Sequence, residues 1–152
     1  MLSAWQSSWL AHTIAQSQML TAGLSAVHLL GFTLVMGSAV VSNLRMLGAV
    51  FSDLPATAIT RPASRALVLG ACVSVTTGLL MFLPRAVGAS RNDFFRAKIL
   101  LLVVAALFHA IVQSRVATKA VASPSLSRMV GAVGLALWLG LAVAAGAFIL
   151  IE

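Results

Sequence analysis

Charge is what this chain of 152 residues almost does without. Only 9% of its side chains are Asp, Glu, Lys or Arg and 61% are hydrophobic, where soluble domains carry about 25% charged residues. The three acids, Asp53, Asp93 and Glu152, fall in expected loops or at the terminus. That leaves no Ser-His-Asp set and no paired intramembrane carboxylate, which excludes the usual equipment of hydrolases and proton-driven transporters. There is no HExxH pair and no glycine loop to cradle phosphate. A single cysteine, Cys72, excludes an intrachain disulfide and a cysteine metal cluster. Placed in the middle of an apolar run, it is expected to be a buried packing residue. The four prolines are expected in loops or at span ends, leaving the helices uninterrupted.

What the chain does have is four stretches with no charged residue at all, 1–44, 66–84, 99–114 and 129–151. A hydrocarbon core of ~30 Å needs about 20 mostly apolar residues at helical rise. Lipid leaves every backbone amide to be satisfied within the segment, so helices are the answer. The expected fold is all-α, a single-domain integral membrane four-helix bundle with spans at about 20–44, 66–83, 95–114 and 129–151. Residues 1–17 repeat Leu2, Trp5 and Trp9 at helical spacing, which suits a short N-terminal interfacial helix anchored by tryptophan; a disordered tail is the alternative. The first basic residue is Arg45, so no cleaved leader is expected and the first span is retained.

Ten basic residues against three acids give a net charge of +7. Because the basic residues lie between or at the ends of the spans, they read as interfacial anchors and topology signals, not as a nucleic-acid surface. The first and third connections carry Arg45, Arg61, Arg65, Arg115, Lys119 and Arg128; the second carries Arg85, Arg91, Arg96 and Lys98. The positive-inside rule then expects a bacterial inner-membrane protein with both termini on the periplasmic side.

Two histidines, His28 and His109, fall inside apolar spans, where ionisable residues are costly and often functional. Two histidines on two helices of a four-helix bundle are also the usual protein contribution to a six-coordinate b-type haem, with Arg96 or Lys98 placed to meet its propionates. Depth is less accommodating: His28 lies about 12 Å and His109 about 21 Å below the same surface. Met81 is an alternative partner for His28, towards a haem or a copper ion, although methionine on such a helix usually packs. Lys98 is either a snorkelling anchor or a contact for an anion or a quinone-like headgroup. His12, in the interfacial segment, is expected to be solvated. Rows at helical spacing mark the seams: Ser25, His28, Gly31, Ser38, Ser42 and Arg45; Gly70, Ser74, Thr77 and Met81; Lys98, Leu102, Ala105, His109 and Gln113; Gly131, Gly134, Trp138 and Ala145.

The ordered segments His28-Leu29-Leu30-Gly31, Asn43-Leu44-Arg45-Met46-Leu47-Gly48, Thr77-Gly78-Leu79-Leu80-Met81-Phe82, Phe95-Arg96-Ala97-Lys98 and Phe108-His109 resemble an uncharacterised family of small bacterial four-span membrane proteins. The resemblance covers about residues 5–115. Asn43 stands where that family's pattern has an acid. More distantly the chain is similar to the four-helix cytochrome b561 and copper-resistance D type membrane proteins, some of which hold haem. That resemblance implies a haem-binding bundle by architectural analogy alone.

The functional expectation is an electron-transfer subunit that binds a b-type haem or similar redox group through His28, with His109 as a candidate second ligand, exchanges electrons with membrane or periplasmic redox proteins and is not a stand-alone catalyst. The alternative is an accessory subunit of a larger membrane complex that binds only lipid or pigment. A quinone near Lys98 is compatible with either.

Overall fold

Short polar side chains set four of the helix starts. In the computed structural model, which describes residues 2–118 and 123–151, α1 (Leu2–Gln6) is followed by α2 (Trp9–Gln16) and α3 (Gln18–Leu47). The Ser8 hydroxyl accepts from the Ala11 N–H at 3.3 Å and Ser17 accepts from Leu20 at 3.2 Å, so each serine supplies a partner for an orphan first-turn amide. Gly48, at φ 80°, closes α3 in the left-handed conformation that glycine adopts without strain. The Arg45 guanidinium then ties the following loop by donating to the carbonyls of Leu54 and Ser52.

α4 (Ala56–Phe82) continues through a 3₁₀ turn at Leu83–Arg85 into α5 (Ala86–Arg91). Asn92 caps α6 (Asp93–Phe108), its Oδ1 accepting from Phe94 at 2.9 Å and Phe95 at 3.2 Å. A π-helical turn, His109–Gln113, leads into α7 (Ser114–Thr118), and Ser123 caps α8 (Pro124–Ile151) through the Leu126 N–H at 3.3 Å. The connection expected between the second and third spans is thus largely helical, with Ala86 and Ala89 buried where a loop would expose backbone. The N-terminal segment forms two helices, broken at Ser7-Ser8. α1 packs on α5 and the 3₁₀ turn and α2 on the 3₁₀ turn, with the Gln6 Oε1 accepting from the Val87 N–H at 3.1 Å.

The second span starts ten residues before the expected Ala66, at Ala56. Arg61, Arg65 and Pro62 mark a helix end approaching the membrane surface, not a loop. Pro62 sits inside α4 and costs one bond, to the carbonyl of the exposed Ala58. Lys119 and Glu152 lie outside the described residues. Cys72 is exposed on the outer side of α4, not buried, since the seam with α3 belongs to its neighbours Gly70 and Ser74.

Four helical stretches are long and apolar enough to cross a membrane, Gln18–Leu47, Ala56–Arg91, Asp93–Ala117 and Pro124–Ala147. Their surfaces are inverted relative to a soluble protein. Leu30, Leu69, Leu100, Leu107 and Val143 point outward, while Ser42, Asn43, Thr60, His109 and Gln113 are buried. Exposed apolar area on that scale needs an apolar solvent, and the chain is a multi-pass membrane protein.

α3 is the central helix. It crosses α4 where an added Cβ on Gly31 would come within 3.0 Å of the Gly70 carbonyl, and one on Gly70 within 2.7 Å of the Gly31 carbonyl. It meets α8 where Gly131 and Gly134 face Asn43 and Met46. α8 packs in turn on α6, but α6 barely touches α4. The four spans therefore run α4–α3–α8–α6 and leave a crevice between the outer two. Val35, Ala39, Leu67, Ala105, Trp138 and Leu141 form the core behind it.

The α3–α4 crossing gives a direct test. Gly70→Ala is expected to lower the unfolding free energy in detergent by about 1–3 kcal/mol, as overpacking does. Gly37→Ala, whose Cβ meets nothing within 4 Å, is expected to leave it unchanged. Equal effects in a denaturant titration would contradict the crossing.

Candidate functional site

The crevice between α4 and α6 encloses about 490 Å³. Its back wall is Phe32 and Val35 of α3 with Leu141 and Ala145 of α8, and its flanks are Val75, Gly78 and Leu79 of α4 and Ile99 and Leu102 of α6. Among the described residues, only His28, Ser74 and Lys98 bring polar side-chain atoms to a lining that is otherwise apolar. A shallower hollow of about 610 Å³ lies on the outer side of α3 and α4, around Gly37 and Pro62, and its lining holds no ionisable group.

The orientation of His28 follows from its partners. Nδ1 lies 2.9 Å from the Ser74 carbonyl and 3.1 Å from the Thr77 hydroxyl. A carbonyl only accepts, so Nδ1 carries the proton. The Thr77 hydroxyl donates to the Val73 carbonyl at 2.7 Å and therefore accepts from the ring. Ser74 returns the contact, its hydroxyl donating to the His28 carbonyl at 3.3 Å. Gly78 makes room for the imidazole: a Cβ there would stand 3.1 Å from Cε1. With Nδ1 engaged on α4, the Nε2 lone pair is left to the crevice.

Lys98 lines the opposite flank, within electrostatic reach of the His28 ring. Its ammonium stands 6.0 Å from the Phe95 ring centre, and Phe95 stacks on Phe82 with centroids 5.3 Å apart. Lys98, Phe95 and Phe82 all belong to the end of the bundle where α4 turns into α6. Arg96 does not reach the crevice; its guanidinium donates to the Ser90 carbonyl at 2.9 Å and lies 3.6 Å from Asp93 on the exposed connection. Met81 also lies outside the lining, its sulfur 4.0 Å from the Ser25 hydroxyl. His12 is exposed on α2.

His109 belongs to a different structure. Its Nε2 lies 2.9 Å from the Ser64 hydroxyl of α4, its Nδ1 lies 3.1 Å from the Gln113 Oε1, and the Gln113 amide donates to the Ser42 hydroxyl of α3 at 3.0 Å. In that sense Nδ1 donates and Nε2 accepts from Ser64. This buried chain joins three helices through a π turn, the kind of irregularity that re-aims the side chains after it. Four buried atoms, Asn43 Oδ1, Arg45 Nε, Thr60 Oγ1 and Trp138 Nε1, have no hydrogen-bond partner among the described residues.

The two intramembrane histidines are not brought together. His28 meets α4 at Ser74 and Thr77 and His109 meets it at Ser64, 10 to 13 residues away, which is about 15–20 Å along the helix. A single haem iron held by both does not fit this arrangement. Ser64 escaped sequence reasoning because Arg61, Pro62 and Arg65 around it read as a loop. The π turn has no proline or glycine to announce it.

Both histidine environments can be weighed by substitution. Gln113→Leu strands the ring of His109 and the hydroxyl of Ser42, and is expected to cost about 1–3 kcal/mol. Ser64→Ala removes one interhelical bond and is expected to cost about 0.6 kcal/mol. Denaturant titration in micelles measures both; a Gln113 variant as stable as the parent would remove the chain from the account of stability.

No curated protein and no solved structure matches this chain. A family model does, over residues 7–151, nearly the whole length and all four spans. The chain belongs to the family of unknown function DUF6644.

Proposed function

We propose that the crevice between α4 and α6 binds a lipid-soluble redox carrier with a quinone-type head, and that the protein is a membrane electron-transfer subunit. One observation carries the reading: among the described residues one imidazole and one ammonium, His28 and Lys98, line one end of a crevice whose other side chains, Ser74 apart, are apolar. Ligand sites of this kind combine a mostly hydrophobic lining with a few polar groups that set orientation. Val75, Leu79 and Ile99 on the flanks are themselves exposed to the surrounding lipid. A ligand dissolved in the bilayer can therefore enter sideways without crossing water. The Phe82–Phe95 pair at the polar end offers ring surface to a planar head. The excess of arginine at the opposite end, Arg45, Arg61, Arg65, Arg115 and Arg128, favours placing the crevice end on the periplasmic side of a bacterial inner membrane.

A second reading has one observation of its own. A histidine that donates Nδ1–H to a backbone carbonyl is oriented as metal-ligating histidines are, with Nε2 outward. That favours a b-type haem with His28 as its single axial histidine. The facing wall supplies Lys98 and apolar side chains and neither His109 nor Met81, so the residues suit a five-coordinate iron better than the six-coordinate iron of electron-transfer cytochromes.

The detergent-purified protein decides between them. Solvent extraction followed by chromatography is expected to yield about one quinone per chain, lost in His28→Ala and in Lys98→Leu, with no haem band in oxidised or dithionite-reduced spectra. A reduced b-type α-band that disappears in His28→Ala would establish the haem reading instead. Lipid alone, with neither quinone nor haem, would overturn both and leave an accessory subunit.

A further inference from the structure

We propose that the crevice selects the reduced form of its carrier, a hydroquinone whose hydroxyl donates to His28 Nε2. This rests on the crevice reading above and adds the state of the ligand. A neutral imidazole carries one ring proton. The Ser74 carbonyl, 2.9 Å from Nδ1, has no proton to give, and the Thr77 hydroxyl is already donating to the Val73 carbonyl. Both partners on α4 therefore require Nδ1 to be the donor, and Nε2 has only a lone pair to offer.

A hydroquinone hydroxyl satisfies that lone pair. A quinone carbonyl does not. To donate to a carbonyl from Nε2, the ring has two routes. It can move its proton, which sets the Nδ1 lone pair against the Ser74 carbonyl at 2.9 Å. Or it can take up a second proton and become a cation in an apolar crevice that already holds the Lys98 ammonium. Both routes are unfavourable where lipid supplies no compensating partner.

Movement of the ring is also restricted. Gly78 leaves space for the imidazole and little more, since its missing Cβ would lie 3.1 Å from Cε1 and 3.5 Å from Nδ1. The Ser74 hydroxyl, bonded to the His28 carbonyl, holds the two helices in register beside the ring. Lys98 donates to an oxygen of either redox form. It therefore contributes affinity without preference, and the preference belongs to His28.

The test uses the full chain in lipid nanodiscs under anaerobic conditions, titrated with a short-tailed benzoquinone and its hydroquinone by calorimetry. The hydroquinone is expected to bind at least about tenfold more tightly, the effect of one unmatched buried polar contact. His28→Ala is expected to bring the two forms to equal affinity, and Lys98→Leu to weaken both while keeping their ratio. ¹⁵N spectra of histidine-labelled protein give a readout that needs no variant: the His28 resonances should report Nδ1–H before binding and a hydrogen-bonded Nε2 acceptor with hydroquinone. Equal affinity of the two forms, or a preference for the quinone, with binding still dependent on Lys98, overturns the selectivity and leaves the crevice reading standing. Binding of neither form overturns the crevice reading itself.

Discussion

The rest of the structure depends on how closely α3 and α4 approach. Gly31 and Gly70 let two backbones meet where any side chain would hold them apart. In lipid the hydrophobic effect does not drive helices together, so van der Waals contact and interhelical hydrogen bonds must do so. The close crossing serves both. It puts the Ser74 carbonyl within reach of the His28 ring on one side. On the other it leaves α3 close enough for Ser42 to receive the Gln113 amide while α4 presents Ser64 to His109. Without that approach neither histidine would have its partners.

The crevice is the complement of that contact. α3 binds α4 along most of its length and binds α8 through Gly131 and Gly134, so the small residues are spent on one side of the bundle. α6 reaches the rest through α8, where Leu101, Leu102 and Ala105 pack with Trp138 and Leu141, and its link to α4 lies at the far end through α7 and the His109 turn. Between these points α4 and α6 stand apart, flanked by Val75, Leu79, Ile99 and Leu102. The opening is therefore set by where glycine and serine occur. A single apolar substitution on its flanks would narrow it without disturbing the crossing.

Much of this could be read from residue order. Charge-free runs located the four spans, and steps of three and four residues located the seams: Gly31, Gly70, Ser74 and Thr77 do lie between α3 and α4. Segment ends were harder. Arg61, Pro62 and Arg65 signal a loop by composition, yet a helix end at a membrane surface carries the same residues, so Ser64 was missed with the ten residues around it. The site itself was legible as a list and not as an arrangement. His28 and Lys98 stood out because ionisable groups inside apolar runs demand a reason. Nothing in their spacing shows that they share a crevice, that Arg96 turns back to Ser90, or that Met81 packs on Ser25. Those relations depend on how the spans sit side by side, and sequence periodicity carries no information about that.

The separation of the two histidines also assigns them unlike roles. Every polar atom of the His109 ring is consumed by the Ser64–His109–Gln113–Ser42 chain, whose members other than the half-buried Ser64 are buried. A ring with both nitrogens engaged has nothing left for a ligand, and removing any partner leaves another stranded. Such a chain fixes the mutual position of three helices. His28 has the opposite arrangement. One nitrogen is anchored to backbone, which no side-chain substitution can remove, and the other faces an apolar crevice. An unmatched lone pair at membrane depth is costly unless something arrives to use it. One histidine is thus fixed completely and the other by half, so the bundle has one fully bonded end and one end that matches the proposed ligand site. The wide spacing along α4, which defeats a shared haem, keeps the two tasks from interfering.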